Sequence, residues 1–253
     1  MKKKPTILIT GASGGFGREF AKQLEDTGCH LLLHGRDRPR LQMTQECLLH
    51  PERHRCLRAD LSTETGVESL LYQLESEEKL VGLVNNAGLG AWGPFERRQI
   101  VSHMDVLQTD LVAAVQLTHA LLPELIKNKG FIINVSSLAG ETPLPYMSTY
   151  AAAKAGLTYW SEALRTELKG SINVVTLAPG PSPTGFRDIS GMPKDKGGIF
   201  RTSSMDIVQA SLKTLQRGGG YCVPGFRHRM LYLLQKIVPR RLALIMIGRH
   251  LRH

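Results

Sequence analysis

The chain has 253 residues and a mass of 28.0 kDa, enough for one sizeable α/β domain around a continuous core. Its 42% hydrophobic and 21% charged residues are those of a globular protein and exclude a disordered or fibrous chain. The formal net charge of +10 is confined to the ends: Lys2, Lys3 and Lys4, then Arg227, Arg229, Lys236, Arg240, Arg241, Arg249 and Arg252, leave 22 basic and 22 acidic side chains for the rest.

A neutral body with no recognised nucleic-acid fold argues against nucleic acid as a partner. Cys29, Cys47, Cys56 and Cys222 are scattered, with no CxxC and no metal-ligand spacing. Free thiols of a reducing compartment are expected, and no metal site. The opening MKKKPTILITG has too short an apolar run for a signal peptide, and no apolar stretch is long enough to cross a bilayer. A cytoplasmic location is expected.

Residues 6–10, TILIT, read as a β-branched strand that breaks into TGASGGFG and then into a helical pattern through Phe16, Phe20 and Leu24. In that strand–turn–helix context, Gly11 and Gly15 permit a tight turn and let backbone approach a pyrophosphate. Gly17 lets the helix pack close to the strand. Ser13, Gly14 and Phe16 complete the loop, and the helix N-terminus offers unpaired N–H groups to phosphate. Both G-x-x-x-G-x-G (11, 15, 17) and G-x-x-G-x-x-G (11, 14, 17) fit the spacing.

A second strand, 30–34, leads into Gly35-Arg36-Asp37-Arg38. An acid at this tip would bind the adenosine ribose hydroxyls, whereas an arginine suits a 2′-phosphate. Gly35 takes the tip, Arg36 follows and Asp37 stands one place further along, so NADP(H) is expected ahead of NAD(H). A third strand over 54–59 ends at Asp60-Leu61, and a helix is expected over 64–77. The fourth, LVGLVNNAG (80–88), ends where asparagine amides can tie strand ends together and Ala87-Gly88 leaves room for a flat ring. The region 97–128 reads as a long amphipathic helix, broken or bent near its middle.

GFIINVSS (130–137) is the fifth strand and delivers Ser137 at its C-terminal end; helix 148–169 follows, then strand 172–180. Strands alternating with helices imply a parallel sheet wound with helices on both faces. The motifs at 11–17, 36, 60, 86–88, 137 and 179–184 all fall at strand C-termini, the edge where such sheets bind ligands. On helix 148–169, Tyr150 and Lys154 are four residues apart and share a face. A phenol titrates near pH ~10, and a fixed positive charge beside it moves its pKa down, towards the range useful for acid–base catalysis. A serine hydroxyl held beside that phenol can orient a substrate carbonyl.

TGASGGFG, Asp60-Leu61, NNAG, a serine thirteen residues before a tyrosine, YAAAK and PGPSPT, in this order, resemble the short-chain dehydrogenase/reductase family in its non-extended branch, over about residues 5–225. The resemblance implies a Rossmann-type doubly wound parallel sheet of about seven strands with helices on both faces. It also selects Gly11, Gly15 and Gly17 as the glycine motif. By resemblance, Tyr150 is the general acid/base, Lys154 lowers its pKa and holds the nicotinamide ribose, and Ser137 polarises the substrate carbonyl. Asp60 and Leu61 would meet the adenine, Asn86, Ala87 and Gly88 the ribose region, and Pro179, Gly180 and Thr184 the nicotinamide. The family's usual asparagine in the preceding helix is here Asp110, whose charge would keep Lys154 protonated and oppose the Tyr150 phenolate. The activity implied is hydride transfer between nicotinamide and a carbonyl or secondary alcohol. A catalytically impaired nucleotide-binding regulator of the same fold is the alternative, with Asp110 as its hint. A homodimer or homotetramer through helices 97–128 and 148–169 is implied as well.

Residues 1–225 are thus read as the catalytic domain and 226–253 as a basic extension. Met230 to Val238 and Leu242 to Ile247 are two apolar blocks separated by Pro239, read as two short helices. They can cover the substrate pocket or pad a dimer interface, touch anionic lipid at a membrane surface, or bind nucleic acid, in that order of preference. Leu144, Tyr146, Met147, Phe186, Met192, Ile199 and Phe200 flank the site and suggest an apolar pocket for a lipophilic small molecule.

Overall fold

The structure is a computed structural model that describes residues 4–193 and 201–251. Lys2, Lys3, Ile199, Phe200 and Arg252, named above, lie outside the described residues. In chain order the elements are β1 (Thr6–Ile9), α1 (Gly15–Glu25), β2 (His30–Gly35), α2 (Arg38–Glu46), β3 (Arg55–Arg58), α3 (Glu64–Leu74) and β4 (Leu80–Asn85). Then come α4 (Ile100–Leu107), α5 (Ala113–Lys127), β5 (Phe131–Val135), α6 (Ser148–Glu167) and β6 (Asn173–Leu177). The last are α7 (Phe186–Ser190), α8 (Ser204–Gln216), β7 (Gly220–Cys222), α9 (Phe226–Ile237) and α10 (Arg240–Leu251).

The strands form one parallel sheet in the order β3-β2-β1-β4-β5-β6-β7. The apolar runs ILI, LLL, LV and II lie buried because helices cover both faces of such a sheet. Alternation along β1 sends Ile7 and Ile9 to one face, with Phe20 of α1, Leu41 of α2 and Ile207 of α8. Leu8 goes to the other, with Leu70 of α3, Leu117 of α5 and Leu164 of α6. Each fully buried Leu or Ile contributes about 1.5–3 kcal/mol, so the two layers hold the strand ends in fixed register.

Chain order reverses between β1 and β4, which opens a crevice at the C-terminal edge of the sheet. The long helical region is bent where expected: a single turn of π-helix, Gln108–Val112, joins α4 to α5. Such turns insert one extra residue and redirect side chains, here Asp110. The sequence reading assigned no helix between β2 and β3. One forms because the Asp37 carboxylate caps it, accepting from Arg40 N–H at 3.1 Å.

After β7, Gly225 at φ 84° turns the chain into α9, and Pro239 separates α9 from α10. This strap returns over the sheet edge. Glu141, after β5, accepts from Tyr221 Oη at 2.6 Å and from Lys236 Nζ at 3.0 Å, and Tyr232 packs on Tyr221 at 5.5 Å between ring centroids. No helix among the described residues is long and apolar enough to cross a membrane.

Candidate active site

The glycine turn is built from three different constraints. Gly11 has φ 64°, and a β-carbon there would lie 2.9 Å from the Ala87 Cα. At Gly17 it would fall 2.2 Å from the Gly11 carbonyl oxygen, so only glycine lets α1 sit against the turn. At Gly15 it would meet Thr184 at 2.8 Å, which ties this loop to the segment 179–184. Gly14 is uncrowded, with the Gly11 oxygen at 3.4 Å, so the packing singles out 11, 15 and 17. Gly14 caps α1 without any side-chain acceptor, leaving first-turn N–H groups directed at the crevice.

Neighbouring strand ends are laced to this turn. Asn86 Nδ2 donates to the carbonyls of Thr10 at 2.8 Å and Gly11 at 3.1 Å, and the N–H groups of Asn86 and Ala87 donate to Thr10 Oγ1. Asn85 Nδ2 donates to Asn134 Oδ1 at 2.8 Å, joining β4 to β5. Asp60 Oδ1 accepts from the backbone and hydroxyl of Ser62, while its other oxygen faces Arg36 at 3.8 Å. Arg36, half exposed, stands at the rim with Ser13, Asp37 and Arg40. One oxygen of the Asp37 carboxylate serves the α2 cap, accepting from Arg40 N–H.

The reactive groups converge beside the glycine turn. Ser136 is turned inwards, donating to the Lys154 carbonyl at 2.9 Å and bonded to Thr158 Oγ1 at 2.6 Å. Ser137 borders the cavity beside Tyr150 and accepts from Ala139 N–H at 3.1 Å. The Tyr150 ring is buried against Phe186, with centroids 5.1 Å apart. Lys154 Nζ donates to the Val135 carbonyl at 3.0 Å and pairs with Asp110 Oδ2 at 3.1 Å, both side chains buried. Asp110 Oδ1 accepts from Leu89 N–H at 2.6 Å. A β-carbon at Gly88 would sit 3.2 Å from Asp110 Oδ2, so this glycine makes room for the pair.

The electrostatics differ from the expectation that Lys154 draws the phenol down. Burial pushes the Tyr150 phenol well above its usual range and the Asp110 charge adds to that; the Ser137 hydrogen bond opposes them. Lys154 has a nearer partner in Asp110, and its ammonium stands 5.8 Å from the Tyr150 ring centroid. Burial likewise raises the Asp110 carboxyl, opposed by the Lys154 charge and the Leu89 N–H. Asp110 is thus the nearest charged partner of Lys154.

Asp110, Ser137, Tyr150 and Lys154 border one cavity of about 810 Å³. It runs from Arg36 and Asp60, past Gly11 to Gly15, Asn86 to Gly88 and Pro179 to Thr184, to Ser137 and Tyr150. Gly17 packs behind the turn without bordering it. Beyond Tyr150 the wall is Leu144, Met147, Phe186 and Met192, as expected; Tyr146 packs in the same cluster, at φ 65°, without lining the cavity. Leu231 and Leu234 of α9, Val238 after it, and Met246, Ile247 and Leu251 of α10 roof it. The described part of the tail thus covers the pocket.

Sequence reasoning missed Arg40, His34, Ile189 and the identity of the roof residues. It also missed His228, buried in the first turn of α9: a β-carbon at Gly180 would lie 2.5 Å from its ring. No spacing rule points from residue 228 to residue 180.

Residues 5–191 match the short chain dehydrogenase family. Sulfoacetaldehyde reductase 2 of Chromohalobacter salexigens is 36% identical over 185 residues, covering 71% of this chain and 73% of the relative. The 11-beta-hydroxysteroid dehydrogenase-like protein 4A of Arabidopsis thaliana is 31% identical over 244 residues, covering 93% of this chain and 81% of the relative. Among solved structures, a short-chain dehydrogenase from Sphingobium yanoikuyae in complex with NADPH superposes with a TM-score of 0.80 at 26% identity, covering 93% of this chain and 97% of that one.

Proposed function

The chain belongs to the short-chain dehydrogenase/reductase family of NAD(P)-dependent oxidoreductases, and we propose that it interconverts an apolar ketone and its secondary alcohol with NADP(H) as preferred cofactor. One observation carries this: a single cavity joins the glycine turn and Arg36 to Ser137 and Tyr150 under an apolar roof. The cradle around Gly11 and Gly15 fits a dinucleotide pyrophosphate, because no side chain stands between the α1 N–H groups and the crevice.

Bound nicotinamide supplies or accepts the hydride at its C4. The chain's residues do the rest. Ser137 donates a hydrogen bond to the substrate oxygen and orients it beside the Tyr150 hydroxyl. In the reductive direction Tyr150 gives that oxygen a proton, and in the oxidative direction it removes one. Lys154 and Asp110 fix the charge next to the phenol, and Lys154 holds the nicotinamide ribose. Asn86, Ala87 and Gly88 border the ribose region, Asp60 and Leu61 the adenine, and Pro179, Gly180 and Thr184 the nicotinamide ring. Arg36, with Ser13 and Arg40 at the same rim, binds the 2′-phosphate.

The strap 226–251 belongs to the catalytic unit as its roof. Exposed Ile100, Val101 and Met104 on α4 and Tyr159 on α6 support assembly as a homodimer or homotetramer through those helices. The NADPH complex of the Sphingobium relative supports the cofactor choice, and the steroid dehydrogenase-like relative supports a bulky apolar substrate. A second reading, a nucleotide-binding protein of impaired turnover, is favoured by one observation: Asp110 both occupies Lys154 and raises the phenol.

Paired titration of the purified protein with NADPH and NADH, read by nicotinamide fluorescence, tests the proposal without a known substrate. NADPH should bind more tightly, and Arg36→Ala should weaken NADPH by about tenfold or more while leaving NADH nearly unchanged. Equal affinity for both would remove the NADP preference. Binding of neither would remove the oxidoreductase reading.

A further inference from the structure

The C-terminal strap carries apolar residues on two sides, and the cavity uses one of them. Leu231 and Leu234 of α9, 41% and 54% exposed, and Val238 just after it border the cavity. Phe226, Met230, Leu233 and Ile237, spaced four, three and four residues apart, form a separate stripe about 120° further round the helix. This outer stripe is open, with Phe226 77% and Ile237 79% exposed, and Leu242 and Ile245 continue it on α10. Arg229, Arg240, Arg241 and Arg249 of the strap are exposed, Lys236 is held by Glu141, and no acidic residue follows Gly218.

We propose that this outer stripe docks in the plane of an anionic lipid bilayer, with its basic rim on the headgroups and its apolar side chains in the acyl boundary. Charge selects the occupant. A second copy placed across a two-fold axis would bring two all-basic straps face to face, which repels, whereas anionic headgroups attract the same charges. At twelve residues each, α9 and α10 lie on the surface and do not span it. The helices that meet lipid also roof the cavity, so the bilayer and the substrate site are separated by one helix diameter, about 10 Å. An apolar substrate dissolved in the bilayer would reach the site along the strap. Docking is independent of the catalytic reading, and only this delivery route rests on it.

Co-sedimentation of the full chain with phosphatidylcholine vesicles, with and without phosphatidylserine, is the test. Binding should appear with the anionic vesicles, fall about tenfold or more at high salt, and fall about tenfold or more in the double variant Phe226→Asp/Ile237→Asp. Both positions are more than three-quarters exposed and touch no part of the cavity, so NADPH affinity should be unchanged and serves as the folding control. Absence of wild-type binding to anionic vesicles, or equal binding by the double variant, would overturn the proposal. So would sedimentation velocity showing a wild-type oligomer that the double variant loses, which would make the stripe a self-interface. Absence of wild-type vesicle binding with cofactor titration intact counts against docking alone and leaves the catalytic reading standing.

Discussion

The two walls of the cavity are held by different physics. At the sheet edge, backbone contacts leave no spare volume: a β-carbon at Gly17 overlaps a carbonyl, and Asn86 is bonded to the two residues that follow β1. The opposite wall is a strap of two half-exposed helices, tied down by the Lys236–Glu141 pair, the Tyr232–Tyr221 contact and His228 under Gly180. A reaction that needs fixed geometry is better housed in the first wall, and recognition of a substrate's bulk in the second. Mutations should divide along the same line.

The largest effect belongs to the sheet edge. Tyr150→Phe should lower turnover by about 10³-fold with little change in NADPH affinity, measured by steady-state kinetics and fluorescence titration. A parallel loss of cofactor binding would mean that the ring is a structural prop of the cavity.

The next effect is on stability and again separates the walls. Burial of His34, 2% exposed on β2, pushes its imidazole down to about 4. The unfolded chain takes up this proton below pH ~6.5 while the folded chain resists until near 4, so stability is intact above that window and falls as pH drops through it. The loss should approach about 3 kcal/mol in denaturant titrations between those pH values, and His34→Gln should flatten the slope. An unchanged slope would place the titration elsewhere.

Asp110→Asn sharpens the comparison within the rigid wall. Removing the charge that raises the phenol should move the rise of the oxidation rate to lower pH, with about a tenfold gain near neutrality. A move to higher pH would show that Asp110 acts chiefly by keeping Lys154 charged. Inactivity of the wild type, relieved by this substitution, would favour the impaired-regulator reading.

The smallest effect is on the strap. Lys236→Met breaks the tie to Glu141, but the lysine is half exposed and solvent screens it, so global stability should change by less than about 1 kcal/mol. The expected signature is faster proteolysis within 226–251 and a higher KM for bulky substrates at unchanged kcat. A large fall in melting temperature would mean that the strap is part of the folding core.

Much of the fold and half of the site were legible in the chain itself, for a local reason. Apolar runs of three or four residues bounded by glycine and asparagine define buried parallel strands. Four-residue spacing puts Tyr150 and Lys154 on one helix face, and Pro239 divides the tail. Such rules act within one element or across one turn, where backbone geometry leaves few alternatives. Only the tertiary structure decided which partner each group has when several compete for it. Lys154 lies 44 residues from Asp110 and four from Tyr150, yet its ion pair is with Asp110, because a buried ammonium and a buried carboxylate stabilise each other more than either does a neutral phenol. The same holds for Gly15 against Thr184, His228 against Gly180, and the choice of which tail leucines roof the cavity. Those contacts join segments whose separation in sequence carries no period, and burial of both partners at once selects them.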